Sequence, residues 1–153
     1  MLFMNSEKAS ICEGTELDGS QMVRAFGVGK TARDAKKQLE KNAMRDVLFN
    51  GIRDGKEGCQ IAPLVNDPNA REKHQKYFNR FFSDGGQYKR YVKENDSPGK
   101  TTKRYKGEGK TKLWTKIVTI NMVKMEKELK QEGIIPKDPS KRQQKKKPKK
   151  TDY

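Results

Sequence analysis

The sequence predicts an α+β domain in which a small antiparallel sheet of three to four strands packs against about three helices. Apolar residues alternate in the manner of strands near residues 21–27 and 112–120, and each of these segments leads into apolar residues at helical spacing. Glycines and prolines separate the elements. The order strand, helix, helix, strand, strand, helix is typical of helices layered on one antiparallel sheet.

The first strand is expected over residues 21–27 and the first helix over residues 31–49. Gly27 and Gly29 would bend the chain between them. Thr31 is expected to cap the helix, because its hydroxyl can accept a first-turn N–H, and Asp34 completes a capping-box pattern. The predicted apolar stripe, at spacings of three and four, comprises Ala32, Ala35, Leu39, Ala43 and Val47.

A second helix is expected to begin at Asp67 and Pro68 and to stop before Gly85. Its apolar face comprises Ala70, His74, Tyr77, Phe78 and Phe81. Residues 61–65 would anchor the preceding loop, and residues 88–92 suit either a helical turn or a short strand. Helical spacing makes core packing the better interpretation of the aromatic residues and of His74.

The C-terminal half of the domain is expected to contain two antiparallel strands, residues 101–106 and 110–120. The second of these carries apolar residues on both faces, which predicts a central position in the sheet. Asn121 is expected to cap a last helix that ends at Gly133.

The folded domain is therefore expected over residues 21–136. A flexible segment, residues 1–20, precedes it, within which residues 9–12 can add an edge strand. Residues 137–153 hold eight basic and two acidic residues, so they carry +6 of the formal net charge of +15. Because this Lys-rich tail repels itself and has almost no apolar side chains, we expect it to be disordered.

The strong positive charge predicts attraction to polyanions, although charge alone does not choose among nucleic acid, anionic lipid, acidic polysaccharide and acidic protein. A basic helix face of this kind is usually a solvated surface, here partly neutralised by Asp34 and Glu40. The candidate polyanion-binding residues are Lys30, Arg33, Lys36, Lys37, Lys41 and Arg45 on the first helix, and Lys145, Lys146, Lys147, Lys149 and Lys150 in the tail.

Residues 24–31 recur as residues 104–111, with five of eight positions identical and Gly-Lys-Thr at the end of both copies. A phosphate-binding loop of the G-x-x-x-x-G-K-[ST] type needs glycine where Arg24 and Arg104 stand. The repeat therefore predicts two bends at the same end of neighbouring strands. Cys59 and His74 lack the orienting residues of a nucleophilic pair. We predict no catalytic residue, no cofactor and no metal site.

The two cysteines, Cys12 and Cys59, either form one bridge or remain separate thiols. The sequence has no apolar run of 18 residues, so we expect no transmembrane span. Residues 1–4 lack the basic start and the length of a signal peptide. These observations leave two locations open: the cytoplasm, or the far side of the membrane after removal of a signal.

Gly27, Gly29, Thr31, Ala35 and Ala43, followed by residues 114–129, resemble a recurrent bacterial envelope domain. It occurs in the twenty-kilodalton outer-membrane lipoprotein family and in the N-terminal domain of the flagellar ring protein FlgT. Residues 42–51 and 77–86 resemble an uncharacterised secreted subgroup of it.

The resemblance implies a non-enzymatic binding or assembly module with an unknown protein or polyanion partner in the envelope. It would lie in the periplasm, on the outer membrane or outside the cell, and its oligomeric state stays open. The resemblance brings no site residues with it. Cys12 has no preceding apolar stretch of the kind that a lipid-anchored cysteine requires.

A second resemblance is to double-stranded-RNA-binding domains, in which lysines at the start of a helix contact phosphates across a groove. The residues that carry it are Gly29, Lys30, Arg33, Ala35, Lys36 and Lys37. Two departures weigh against it. Residues 1–20 cannot supply the helix and two strands that such a domain places before this point, and Leu39-Glu40 replaces its alanine pair.

Overall fold

The fold consists of one antiparallel sheet and a layer of helices. The computed structural model describes residues 9–56, 59–94, 103–106 and 112–137. The strands are β1 (Ile11–Thr15), β2 (Gln21–Gly29), β3 (Val92–Glu94), β4 (Lys103–Lys106) and β5 (Lys112–Ile120). The helices are α1 (Ala32–Arg45), α2 (Ala70–Lys73), α3 (Gln75–Phe81) and α4 (Met122–Gln131), with a π-helical turn at Asp46–Asn50 and a 3-10 turn at Gln87–Arg90.

The sheet is four strands wide, in the order β1, β2, β5 and then β3 with β4. The last position is shared, because β3 pairs with β5 from Val118 to Ile120 while β4 pairs with β5 from Lys112 to Thr115. All of these pairings are antiparallel. The predicted α+β class and the predicted central position of the last strand are both confirmed.

Two glycines allow α1 to lie directly against β2. A β-carbon at Gly27 would stand 2.5 Å from the backbone nitrogen of Leu39, and one at Gly29 would stand 2.5 Å from that of Ala35. The prediction that these glycines bend the chain was wrong, because β2 continues through both of them. Their role is close approach of a helix backbone to a strand, which no larger residue permits.

A local cap fixes the start of the α1 segment, and a more distant loop fixes its end. The Thr31 hydroxyl accepts a hydrogen bond from the Asp34 N–H at 3.2 Å, so the predicted N-cap is confirmed. The helix then widens into the π-helical turn, whose carbonyls at Val47 and Leu48 accept the N–H groups of Leu64 and Val65. The loop at residues 61–65 is therefore anchored on the end of the helix, as predicted, and satisfies backbone groups there.

The core lies between the sheet and the helices. The predicted α1 stripe is buried at Ala35, Leu39, Ala43 and Val47, whereas Ala32 is exposed. The other buried apolar residues that meet there include Val23 and Ala25 of β2, Val118 and Ile120 of β5, Tyr77, Phe78 and Phe81 of α3, and Met125 and Leu129 of α4. Core packing of these aromatic residues is confirmed.

The predicted second helix begins later than expected and is broken. Asp67 makes a turn, in which its side chain accepts the Asn69 N–H at 2.9 Å and its carbonyl accepts the Ala70 N–H at 3.0 Å. α2 therefore starts at Ala70, and His74, with φ −117° and ψ 38°, separates it from α3. His74 is half-buried at this break.

The last helix follows its sequence signals closely. The Asn121 side chain accepts the Lys124 N–H at 3.0 Å, which confirms the predicted cap. After Gly133, at φ +74°, the Ile134 N–H returns to the Leu129 carbonyl at 2.9 Å. This pattern satisfies a free carbonyl at the helix end and brings an apolar side chain back onto the core.

A disulfide joins β1 to the loop that follows α1. It connects Cys12 and Cys59, whose Cα atoms are 5.7 Å apart, and Cys12 is fully buried. The backbone around it is paired as well, since the Cys12 N–H donates to the Asp54 carbonyl at 2.8 Å and the Cys12 carbonyl accepts the Lys56 N–H at 3.1 Å. The sheet thus extends into the segment 1–20 expected to be flexible, at the edge strand that the sequence allowed.

Candidate anion-binding face

The predicted basic residues of α1 do not form one continuous surface. Lys30 and Arg33 are exposed at the start of the helix. Within the described residues, neither of them forms an ion pair with a carboxylate. Together they leave two unneutralised cations beside the end of β2.

Lys37 and Lys41 converge on one carboxylate from the turn after α3. Their Nζ atoms lie 3.6 Å and 2.7 Å from the oxygens of Asp84. The hydrogen bond from Lys41 lowers the pKa of Asp84, and the charges of both lysines lower it further. Asp84 therefore offsets one of the two positive charges in the middle of the predicted face.

Lys36 belongs to a different ion-pair group, at the edge of the sheet. Its Nζ lies 2.7 Å from Glu94 in β3, and Lys116 in β5 approaches the same carboxylate at 3.2 Å. Burial alone would raise the pKa of Glu94, but the hydrogen bonds from Lys36 and Lys116 outweigh it and the pKa is lowered. Lys36 thus ties α1 to the sheet.

Among the described residues, neither Asp34 nor Glu40 forms a salt bridge with a basic residue of α1. Glu40 is buried, which raises its pKa, and its partner is Lys89 at 3.8 Å. The carboxylates that pair with the α1 lysines come instead from segments distant in sequence. Only tertiary structure brings them there, so a scan of the helix itself could not find them.

Arg45 differs from the lysines in its contacts. Its guanidinium donates to the Asn42 side chain at 2.8 Å and lies 5.4 Å from the centre of the Phe82 ring. It faces a groove that it shares with Arg71 of α2. No sequence pattern singles out Arg71, which lies 26 positions further along the chain.

The predicted tail residues lie outside the described part of the chain: Lys145, Lys146, Lys147, Lys149 and Lys150. The second copy of the repeat is described only at residues 104–106, which belong to β4. In the first copy, Gly29 lies opposite Lys112, the residue that follows the second copy. Most of the first copy, residues 24–29, belongs to β2 and forms no phosphate-binding loop.

In the part of the chain that the structure describes, no group of three or more His, Cys, Asp or Glu side chains is placed to hold a metal ion. None of the described helices is long and apolar enough to cross a membrane. Comparison of the chain with family models, with curated proteins and with solved structures finds no match in any of the three.

Proposed function

We propose that this chain is a non-enzymatic binding or assembly module that is secreted or associated with the cell envelope. The observation that carries the proposal is the Cys12–Cys59 disulfide, with Cys12 buried in the core. Disulfides persist in oxidising compartments and are rare where cellular thiols keep cysteines reduced. The resemblance to envelope domains agrees with this location and rests on the residues quoted above.

The chemistry of the cysteines also supports a role without catalysis. A nucleophilic Cys59–His74 pair would need a free thiolate at Cys59. That sulfur is bonded to Cys12 instead. His74, at the break between α2 and α3, therefore has no thiol there to activate.

Cell fractionation tests the proposed location. The protein should be recovered from the periplasm, the envelope or the medium of cells that produce it from its own gene, together with a secreted marker. Recovery with a cytoplasmic marker would contradict the proposal. A cytoplasmic protein expressed alongside it controls for lysis.

A second candidate function is nucleic-acid binding, favoured by the exposed and unneutralised cations Lys30 and Arg33. Phosphate contacts of such residues make affinity fall steeply with salt. A double variant, Lys30→Ala with Arg33→Ala, should then weaken binding of duplex RNA at low salt. Lys37→Ala with Lys41→Ala is the matched control, because it removes two positive charges that already pair with Asp84. If the backbone amides of residues 30–41 do not shift on titration with RNA, this function is excluded.

A further inference from the structure

A groove separates the C-terminal end of α1 from α2 and α3, and two arginines face it. Its volume is about 410 Å³. Its lining combines cations, amides and phenyl rings: Arg45, Arg71, Glu72, Gln75, Phe78, Asn79 and Phe82.

An aromatic cluster holds the two guanidinium groups in place. Arg45 lies 5.4 Å from the centre of the Phe82 ring, and Arg71 lies 4.9 Å from the centre of the Phe49 ring. These rings are themselves packed together through Phe78, whose centre is 5.0 Å from that of Phe49 and 6.4 Å from that of Phe82. Cation–π contacts orient the plane of a guanidinium and leave its N–H edge free to donate. In Arg45 one N–H group is already used by the Asn42 side chain, and the others can face a ligand.

The two positive charges of the groove lack the carboxylate partners that the α1 lysines have. Among the described residues, neither Arg45 nor Arg71 forms an ion pair. Burial lowers the pKa of Arg45, and the charge of Arg71 lowers it further, with Asp46 opposing both effects. Asp46 is already engaged, since its two oxygens accept the Ser10 N–H at 3.0 Å and the Asn50 amide at 2.8 Å.

We propose that this groove is a binding site for a phosphomonoester group. Two guanidinium groups match a dianion in charge, and the forked N–H donors of arginine suit tetrahedral oxyanions. Gln75 and Asn79, one helical turn apart on α3, offer neutral amide donors for the remaining oxygens. Phe78 and Phe82 provide an apolar wall for the group that the phosphate esterifies.

The carboxylate of Glu72 also lines the groove and bears on the choice of ligand. It would disfavour an extended anion that runs along the rim, such as a nucleic-acid backbone. It would tolerate a ligand whose negative charge is confined to one end. The inference assigns a ligand class to the proposed binding module and does not depend on where the cell places the protein.

Titration of the full chain with phenyl phosphate, observed through the arginine Nε–H signals in NMR spectra, tests the proposal. The signals of Arg45 and Arg71 should shift and saturate, while that of the exposed Arg33 should stay in place. Sodium chloride at equal ionic strength controls for screening. Equal shifts with chloride, or the absence of a shift at either groove arginine, would overturn the proposal.

Variants separate the groove from general electrostatics. Arg71→Gln should weaken phenyl phosphate binding by about tenfold or more, because hydrogen bonds to charged groups are lost. Arg33→Gln removes the same charge from the same protein and should leave the affinity within about twofold. Both variants should melt within a few degrees of the wild type, which would rule out unfolding as the cause of weaker binding. An unchanged affinity for phenyl phosphate in a folded Arg71→Gln protein would refute the site.

Two further ligands distinguish the source of the phosphate. Inorganic phosphate should shift the same two arginines with lower affinity, since it makes no use of the phenyl wall. If duplex RNA shifts the signals of Arg45 and Arg71 but phenyl phosphate does not, the groove binds a phosphodiester backbone and the proposal is wrong. A failure here would leave the fractionation result, and hence the proposed location, unaffected.

Discussion

At Gly27 the absence of a side chain determines how closely α1 approaches the sheet. A β-carbon there would lie 2.5 Å from the Leu39 nitrogen and 2.6 Å from the Ala35 carbonyl oxygen. These are backbone atoms of a capped helix, so they cannot move aside as the tip of a flexible side chain can. Gly27→Ala should therefore force the helix off the strand and lower the free energy of unfolding by about 3 kcal/mol.

Urea denaturation measures this loss, and Gly85→Ala is the matched control. A β-carbon at Gly85 meets no atom within 4 Å, although its φ is +72°. That variant should cost about 1 kcal/mol, from backbone strain alone. If Gly27→Ala costs no more than Gly85→Ala, close packing is not the reason for glycine in β2.

Asp84 should make the stability of the fold depend on pH in the acid range. Its pKa in the folded state is below the usual value of 3.8, because Lys41 and Lys37 favour the carboxylate. Its contribution to stability is therefore fully present above about pH 4 and is lost as the pH falls through the folded-state pKa.

The melting temperatures of Asp84→Asn and of the wild type, measured from pH 7 to pH 2, test this dependence on pH. The variant should melt lower at pH 7, and the difference should shrink as the pH falls through the lowered pKa of Asp84 and the carboxylate loses its charge. Asp54→Asn, at a carboxylate without an ion pair among the described residues, controls for loss of an acidic residue. A difference for Asp84→Asn that stays constant from pH 7 to pH 2 would contradict the ion-pair explanation.

At the scale of elements, the sequence predicts the features that depend on residues close together in the chain. The caps at Thr31 and Asn121 were predicted because a cap joins residues three positions apart. The break at His74 was not, because the segment keeps helical spacing on both sides of it. The groove was missed for a different reason: Arg45 and Arg71 are separated by an entire loop, and no periodicity connects them.

The disulfide should be the strongest single constraint between elements. It closes a segment of 47 residues between β1 and the loop after α1. A cross-link of that span restricts the unfolded chain by an amount worth about 4 kcal/mol. The double variant Cys12→Ser with Cys59→Ser should lose about that much free energy of unfolding in urea titrations.

Reduction of the wild type provides the control, because it breaks the same bond without changing any atom of the core. The reduced protein and the double variant should unfold at similar urea concentrations. An oxidised wild type no more stable than either would show that the bridge does not constrain the fold.

At the scale of the whole molecule, the positive charge is divided between the domain and the tail. Residues 137–153 carry +6 of the formal +15. Deleting them should leave the melting temperature nearly unchanged, since a sequence so rich in lysine and so poor in apolar residues is expected to add nothing to the core. Affinity for heparin should fall, and its salt dependence should become shallower. With fewer contacts between lysines and the anionic groups of heparin, binding releases fewer counterions.

Heparin chromatography and thermal melting of the truncated protein measure both quantities. A melting temperature lower by many degrees would show that the tail docks on the domain. Unchanged heparin retention would assign the interaction to the domain alone.

The most direct test of the proposed extracytoplasmic binding module is the state of its two thiols in living cells. Cells that make the protein from its own gene are quenched with acid and treated with a thiol-reactive reagent of high mass, before and after reduction. We expect Cys12 and Cys59 to be unlabelled before reduction and both labelled after it. Labelling of both cysteines before reduction would contradict the disulfide in the cell and, with it, the proposed location.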